Sequence, residues 1–370
     1  MNKQYSLYLD IVRFLASVFV VLDHFNGQQI VNHAVGRFIP EFGREAVIIF
    51  FVLSGYVIAY TTETKQQSLR DYAVARCARI YSVALPLLLT AFLLNYVCST
   101  YFSNSTSAYY EVSKAYLYIP FHMLFLGELW NLSEVPPWLI PYWSLSYEVW
   151  YYIFFATLYY FSSYKRLCLS ALVFLVLGHK LWLLLPVWMS GVFLYHRQDK
   201  FPLSVFSARL GWMTTLVIFG IFEYFDLDKP LITLGETIWP FKSLMLGSAS
   251  RYLADYVVCI MVLSNFWCAR YAQFAVLEKF SASIRAISSY TFTLYLAHML
   301  VISMWLRFYR HDANNMIDII SVSVLIGLFT YLIGSVTEHK KSWFAHGFDS
   351  LWGQLASVFS KPALPDRQKP

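Results

Sequence analysis

A charge at the middle of a membrane span costs at least about 2.5–3.5 kcal/mol, so charged residues inside apolar segments are where chemistry is to be sought. The first such segment, LDIVRFLASVFVVLDHF, holds Asp10, Arg13, Asp23 and His24. On a helix, Arg13 and His24 are close to three full turns apart. They lie within about 20° of one face and about 16 Å apart along the axis. One stripe therefore carries a fixed cation at one level and a titratable imidazole at another. That suits a helix that holds an anionic donor at one level and handles a proton at the other. The alternative is an Arg13–Asp10 pair at i,i+3 beside an interfacial His24.

Four further segments carry polar groups where few are expected. Ser54 and Gly55 interrupt FFVLSGYVIAY, and the glycine allows close backbone approach, for helix packing as readily as for a ligand. Arg76 and Arg79, three apart in RCARIY, can bind phosphates bidentately, or serve as charge anchors at a span end. Glu148 sits in the aromatic run PYWSLSYEVWYYIFF with Ser144 four residues before it on the same face. A buried carboxylate needs a partner, and His24 or an arginine is the natural candidate. In SYTFTLYLAHML, His298 reads as a satisfied core histidine. Glu223, Asp255 and Glu338 fall near span ends, where water can solvate them, and receive no role.

The elements that must position these groups follow from composition. Of 370 residues, 58% are hydrophobic and only 14% charged, against about 25% in a soluble domain. Disorder, coiled coil and a secreted disulfide scaffold are excluded. The five cysteines stand singly, without zinc spacing, and no metal is called for. The 28 Lys and Arg against 22 Asp and Glu are dispersed between apolar segments, so the net charge of +6 is no nucleic-acid footprint. Asp10 and Arg13 interrupt the opening apolar run, which is read as a retained span rather than a signal peptide.

Apolar segments near 7–24, 45–61, 80–98, 143–161, 167–179, 181–195, 210–225, 251–267, 288–306 and 316–336 predict an all-α polytopic membrane protein of about ten spans. The fifth and sixth are short and close enough for a tight hairpin. Stretches near 115–127 and 231–247 are candidates for re-entrant or interfacial structure. With both termini in the cytoplasm, Lys and Arg favour the inner side roughly two to one. Trp343, Phe344, Phe348, Leu351 and Trp352 share one helical face, so residues 341–370 are expected to form an amphipathic, then polar, cytoplasmic tail after a membrane domain at 1–340.

In this order, LDIVRFLASVFVVLDHF, FFVLSGYVI, RCARIY, WSLSYEVWYY and SYTFTLYLAHML resemble the acyltransferase-3 family of integral membrane acyltransferases. The resemblance spans about residues 7 to 300. It implies a ten-helix domain that moves an acyl group, most often acetyl, from cytoplasmic acyl-CoA to hydroxyls of bacterial cell-surface carbohydrates: O-antigen, exopolysaccharide, peptidoglycan or lipid-linked sugars. The family's arginine–histidine motif maps to Arg13 and His24, its Ser-Gly motif to Ser54 and Gly55, and its arginine pair to Arg76 and Arg79. Its WSLxxE motif maps to Trp143, Ser144, Leu145 and Glu148. Ser82 stands where members often have proline, and Tyr56 replaces a frequent phenylalanine. Some relatives add a soluble hydrolase-like domain, so this membrane domain is expected to complete the transfer itself or to hand over to another protein.

The resemblance and the residues together assign the roles. His24 is the general base, because an imidazole titrates near working pH. Glu148 orients it, and an acyl-histidine intermediate is the second route. Arg13, Arg76 and Arg79 hold the CoA phosphates, Ser54 and Gly55 leave room for the donor or acceptor, and Trp143 and Ser144 face the substrate. Acetyl-CoA is then a donor substrate, with no permanently bound cofactor. The partners are the carbohydrate acceptor and the bilayer of a bacterial inner membrane. A transporter or flippase of a lipid-linked sugar is the rival reading; it would move substrate without consuming acyl-CoA. Tyr101, Tyr109, Tyr110, Trp130 and Trp138 could stack on sugars or form an interfacial belt, and the Asn104-Ser105-Thr106 sequon is read as chance.

Overall fold

The computed structural model describes residues 2–102 and 110–359. Tyr109, the Asn104-Ser105-Thr106 sequon and the polar end from residue 360 lie outside the described residues. Among the described residues all regular structure is helical. The main helices are α1 (Lys3–Gly27), α2 (Gly43–Thr64), α3 (Leu69–Tyr101), α4 (Tyr142–Tyr160), α5 (Ser163–Arg197), α6 (Val205–Tyr224), α7 (Tyr252–Tyr271), α8 (Ser281–Ser288), α9 (Thr291–Phe308), α10 (Met316–Val336) and α11 (Lys341–Phe359). Short helices fill the connections. The chain is a multi-pass membrane protein: among the described residues, eight helices are long and apolar enough to cross a membrane. The tyrosines, serines and Glu148 of α4 lower its hydropathy and leave it outside that set.

The expected hairpin is present within α5. Gly178 has φ +77°, a conformation open to glycine, and a Cβ there would also meet the backbone of Trp130 at 2.7 Å. Phe174 and Trp182 stack at 4.9 Å across the break. In a straight helix those residues would stand about 12 Å apart. Neighbouring positions on α4 touch both arms, with Thr157 2.9 Å from Ser170 and the Phe155 ring 6.1 Å from that of Trp188. The candidate re-entrant stretches hold short helices, Ala115–Met123 and Asp228–Ile238.

Close backbone packing joins α2 to the second arm of α5. A Cβ on Gly55 would collide with the Trp188 carbonyl oxygen, and one on Gly191 with that of Val52. Small residues facing each other let two backbones approach where no hydrophobic effect drives association. Gly55→Val is therefore expected to lower the thermal midpoint of the detergent-purified protein, through an overpacking cost of about 1–3 kcal/mol. An unchanged midpoint would show that the contact is not needed.

Buried ion pairs lock the end of the bundle opposite the N-terminus. Lys180, 0% exposed, donates to Glu128 at 2.9 Å and to Ser133 at 3.0 Å. Asp255 was expected near water at a span end. Instead it is 1% exposed and paired with Arg44, whose Nε reaches it at 3.1 Å. The guanidinium of Arg44 also lies 4.9 Å from the ring of Trp143. These charges sit at helix starts that sequence spacing places at the membrane edge, but neighbouring helices close over them.

Candidate active site

Near the N-terminal face of the bundle, α1, α2, α3, α4, α8, α9 and the start of α11 enclose a cavity of about 710 Å³. Its lining includes Asp10, Arg13, Ser54, Arg79, Ser144, Glu148, Arg285, Tyr295, Glu338 and Lys341. Residues expected from five separate sequence segments thus converge on one space.

Each polar wall is built by its helix. Asn2 caps α1, its side chain accepting from the Tyr5 N–H at 2.7 Å, and three turns later α1 presents Arg13. Arg13 donates to Asp10 at 3.3 Å and to the Ser288 carbonyl at 3.1 Å, while its buried Nε has no partner among the described residues. The i,i+3 pair with Asp10 therefore exists, and it leaves donor capacity free. A capping box of Ser68 and Asp71 starts α3, which carries Arg76 and Arg79. Arg79 faces the cavity and, among the described residues, has no ion pair or side-chain hydrogen bond. Arg76 is not among the lining residues; its guanidinium lies 5.9 Å from the Tyr72 ring, and its buried Nε is unpartnered.

Glu148 accepts hydrogen bonds from Ser54 at 2.7 Å and from Tyr152, and its charge acts on both Arg76 and Arg79. Ser54 is thus a site residue, whereas its neighbour Gly55 faces α5 and serves packing. Trp143 lies beneath Arg44, and Ser144 is hydrogen-bonded to Tyr295 at 2.6 Å. Glu338 lines the cavity as well, accepting from Thr293 N–H and Oγ1 at 3.1 and 2.9 Å, rather than lying free in water.

His24 is not joined to Glu148, as the sequence suggested. The Ser144–Tyr295 hydrogen bond fixes a common level on α4 and α9. Glu148 lies one turn to one side of that level, about 6 Å away, and His298 lies about 4.5 Å to the other. His24 pairs with His298: Nδ1 of His24 is 3.2 Å from Nε2 of His298, with ring centroids 5.0 Å apart. His298 is 0% exposed and His24 half-buried. Sequence reasoning took His298 for a core histidine because offsets between helices cannot be read from spacing along one. Its lone imidazole in SYTFTLYLAHML was the available signal.

The two rings have defined tautomers. Nδ1 of His24 lies 2.8 Å from the Val20 carbonyl and Nδ1 of His298 lies 3.0 Å from that of Leu294. A carbonyl only accepts, so each Nδ1 carries a proton. The Nε2 of neutral His298 is then an acceptor for the His24 Nδ1–H. This leaves the Nε2 lone pair of His24 as the basic atom.

Two contacts set the register of α1 against α8 and α9: Arg13 to Ser288, and His24 to His298. Tyr295, in the cavity wall, therefore stands about one turn short of the histidine pair. The guanidinium groups of Arg13, paired with Asp10, and of Arg79, without an ion pair among the described residues, line the space, and an oriented imidazole lies about one turn beyond its Tyr295 wall. A cavity of this kind suits an elongated anionic donor whose reactive end is carried toward a base.

Membrane helices here enclose a cavity lined by charged and hydroxyl-bearing side chains, as a membrane-embedded enzyme acting on a polar substrate requires. The family model Acyl_transf_3, an acyltransferase domain, matches residues 6–338, nearly the whole chain, and the protein belongs to that family. It is a membrane acyltransferase. No curated protein and no solved structure matches the chain.

Proposed function

We propose that the protein is an O-acyltransferase of a bacterial inner membrane, taking an acyl group, acetyl in the first instance, from cytoplasmic acyl-CoA to a hydroxyl of a cell-surface polysaccharide or lipid-linked sugar. The observation that carries the reading is the cavity with Arg13 and Arg79 in its wall and the His24–His298 pair one turn past its Tyr295 wall. The CoA diphosphate meets the arginines from the cytoplasmic face, and the extended pantetheine arm runs parallel to α1. The arm is of the same order of length as the separation of Arg13 and His24, so the thioester reaches the imidazole.

In direct transfer, Nε2 of His24 accepts the proton of the acceptor hydroxyl as its oxygen attacks the thioester carbonyl. A new C–O bond forms and the C–S bond breaks, and the imidazolium returns its proton to the departing thiolate. His298 holds the imidazole in the required tautomer, the role the sequence reading assigned to Glu148. Glu148 instead organises the donor end with Ser54, Tyr152 and the two arginines of α3. The acyl-histidine route begins from the same lone pair. A flippase of lipid-linked sugar remains the contrasting function, and consumption of acyl-CoA separates the two.

His298 supplies the test specific to this arrangement. His298→Ala is expected to lower kcat by about 10- to 100-fold, less than the roughly 10²- to 10⁴-fold that a general base contributes, because His24 itself stays in place. The KM for acyl-CoA should hold, and His298→Gln, whose carbonyl can accept the same hydrogen bond, should recover part of the loss. Equal kcat in wild type and His298→Ala would remove the positioning role.

A further inference from the structure

Resting on the acyl-CoA reading, we infer that Arg285 and Lys341 form a second anion subsite at the cavity mouth, which takes the terminal 3′-phosphate of CoA. Both residues line the same cavity as Arg13 and Arg79. Arg285 is carried by α8 and Lys341 opens α11. Both side chains are exposed, and among the described residues neither has an ion pair or a side-chain hydrogen bond. The deeper arginines are half-buried. Four cations, of which Arg13 alone has an ion pair among the described residues, therefore occupy two depths of one space against the three carboxylates of Asp10, Glu148 and Glu338. Of those carboxylates, Asp10 is paired with Arg13, Glu148 is bonded to Ser54 and Tyr152, and Glu338 to Thr293. None of them forms an ion pair with the rim cations, although Asp10 and Arg285, and Glu338 and Lys341, are near enough for their charges to act on each other.

A donor with one anionic group would need a single cluster. Coenzyme A carries two separated ones, the diphosphate and the 3′-phosphate, with the adenosine ribose between them. The diphosphate matches the inner pair and the 3′-phosphate the outer pair. Lys341 lies beyond the residues the family model matches, and the fold nevertheless brings it to the cavity. The tail helix does this by packing on α3. Arg70 pairs with Asp349 at 2.8 Å, and the Tyr81 ring lies 5.5 Å from that of Phe348. Residues 341–359 are in this respect part of the donor site rather than a detached tail.

Binding of CoA and of 3′-dephospho-CoA to the full chain in nanodiscs tests the assignment, using wild type, the Arg285→Ala/Lys341→Ala double variant and Lys341→Arg. Wild type should prefer CoA by about tenfold, equivalent to about 1.4 kcal/mol, and the preference should shrink as salt rises. In the double variant the CoA affinity should fall to that of dephospho-CoA. Unchanged dephospho-CoA affinity would show that the cavity is intact, and Lys341→Arg should keep the preference. If wild type binds both ligands equally, or the double variant keeps the preference, the subsite is overturned and the donor reading stands. If wild type binds neither, the donor reading falls and the subsite with it.

Discussion

Replacing His24 with alanine is expected to abolish acyl transfer while leaving the donor site intact. In membranes supplied with labelled acetyl-CoA, label entering hydroxyl-bearing surface glycans should fall by about 10³-fold, within the span observed when a general base is removed. The cavity is lined by residues of α1 from Ser6 to Arg13, and His24 is not among them, so CoA should bind the variant as it binds wild type. That split between binding and chemistry separates a lost base from a lost fold. Label entering glycans equally from both proteins would remove His24 from the reaction without touching the family assignment. If wild type turns over no acyl-CoA at all but moves lipid-linked sugar, the transporter reading replaces this one. Trapping of acylated His24 in wild type by denaturing mass spectrometry would choose the covalent route over direct transfer.

The second large effect is expected at the donor arginines. Arg13→Ala and Arg79→Ala should each weaken CoA binding by about 10- to 100-fold, because a charge-assisted hydrogen bond is worth about 1.5–3 kcal/mol and each 1.4 kcal/mol is tenfold. Loss of Arg13 also strands Asp10, which faces the same cavity as an uncompensated negative charge. Arg13→Ala should therefore be the more damaging of the two. At saturating donor, kcat should change far less than KM, since neither guanidinium reaches the histidine pair. Lysine at either position should rescue incompletely, because it lacks the planar fork that grips two phosphate oxygens. Arg76→Ala should weaken donor binding less, since Arg76 packs against Tyr72 and does not line the cavity. Equal CoA affinity in Arg79→Ala and wild type would exclude the donor from this cavity.

Much of the architecture was legible along the chain. Apolar stretches of about twenty residues leave a helix as the only way to satisfy backbone groups in lipid, so the spans follow from hydropathy. The hairpin within α5 was legible because two short apolar runs lie close together in the sequence. The burial of Asp255 and Lys180 was not, since solvation at a span end depends on which other helices close over it. The same limit governs the site. Arg13 and His24 could be placed on one stripe of α1 because both belong to one helix, whose geometry is periodic. Glu148 could not be placed relative to His24, because the two sit on separate helices whose axial offset is set by packing.

From the sequence alone came the class of the protein: a helical membrane chain whose costly embedded charges mark candidate site residues, and whose ordered motifs resemble a membrane acyltransferase family, with His24, Glu148, Arg13, Arg76, Arg79, Ser54, Gly55, Trp143 and Ser144 as the candidates. The spans and the embedded charges follow from rules local to a segment, namely the length of an apolar run, the helical repeat and the expense of a charge in lipid, and the acyltransferase class follows from the resemblance of the motifs. Only the tertiary structure decided who pairs with whom. It gave His24 a histidine instead of a glutamate, turned Gly55 from the cavity to a helix contact, moved Arg76 out of the lining and brought Lys341 of the tail into it. The physical reason is that partnership between helices depends on their register and rotation. These are fixed by side-chain packing summed over many contacts distant in sequence, which the order of residues in one segment does not contain.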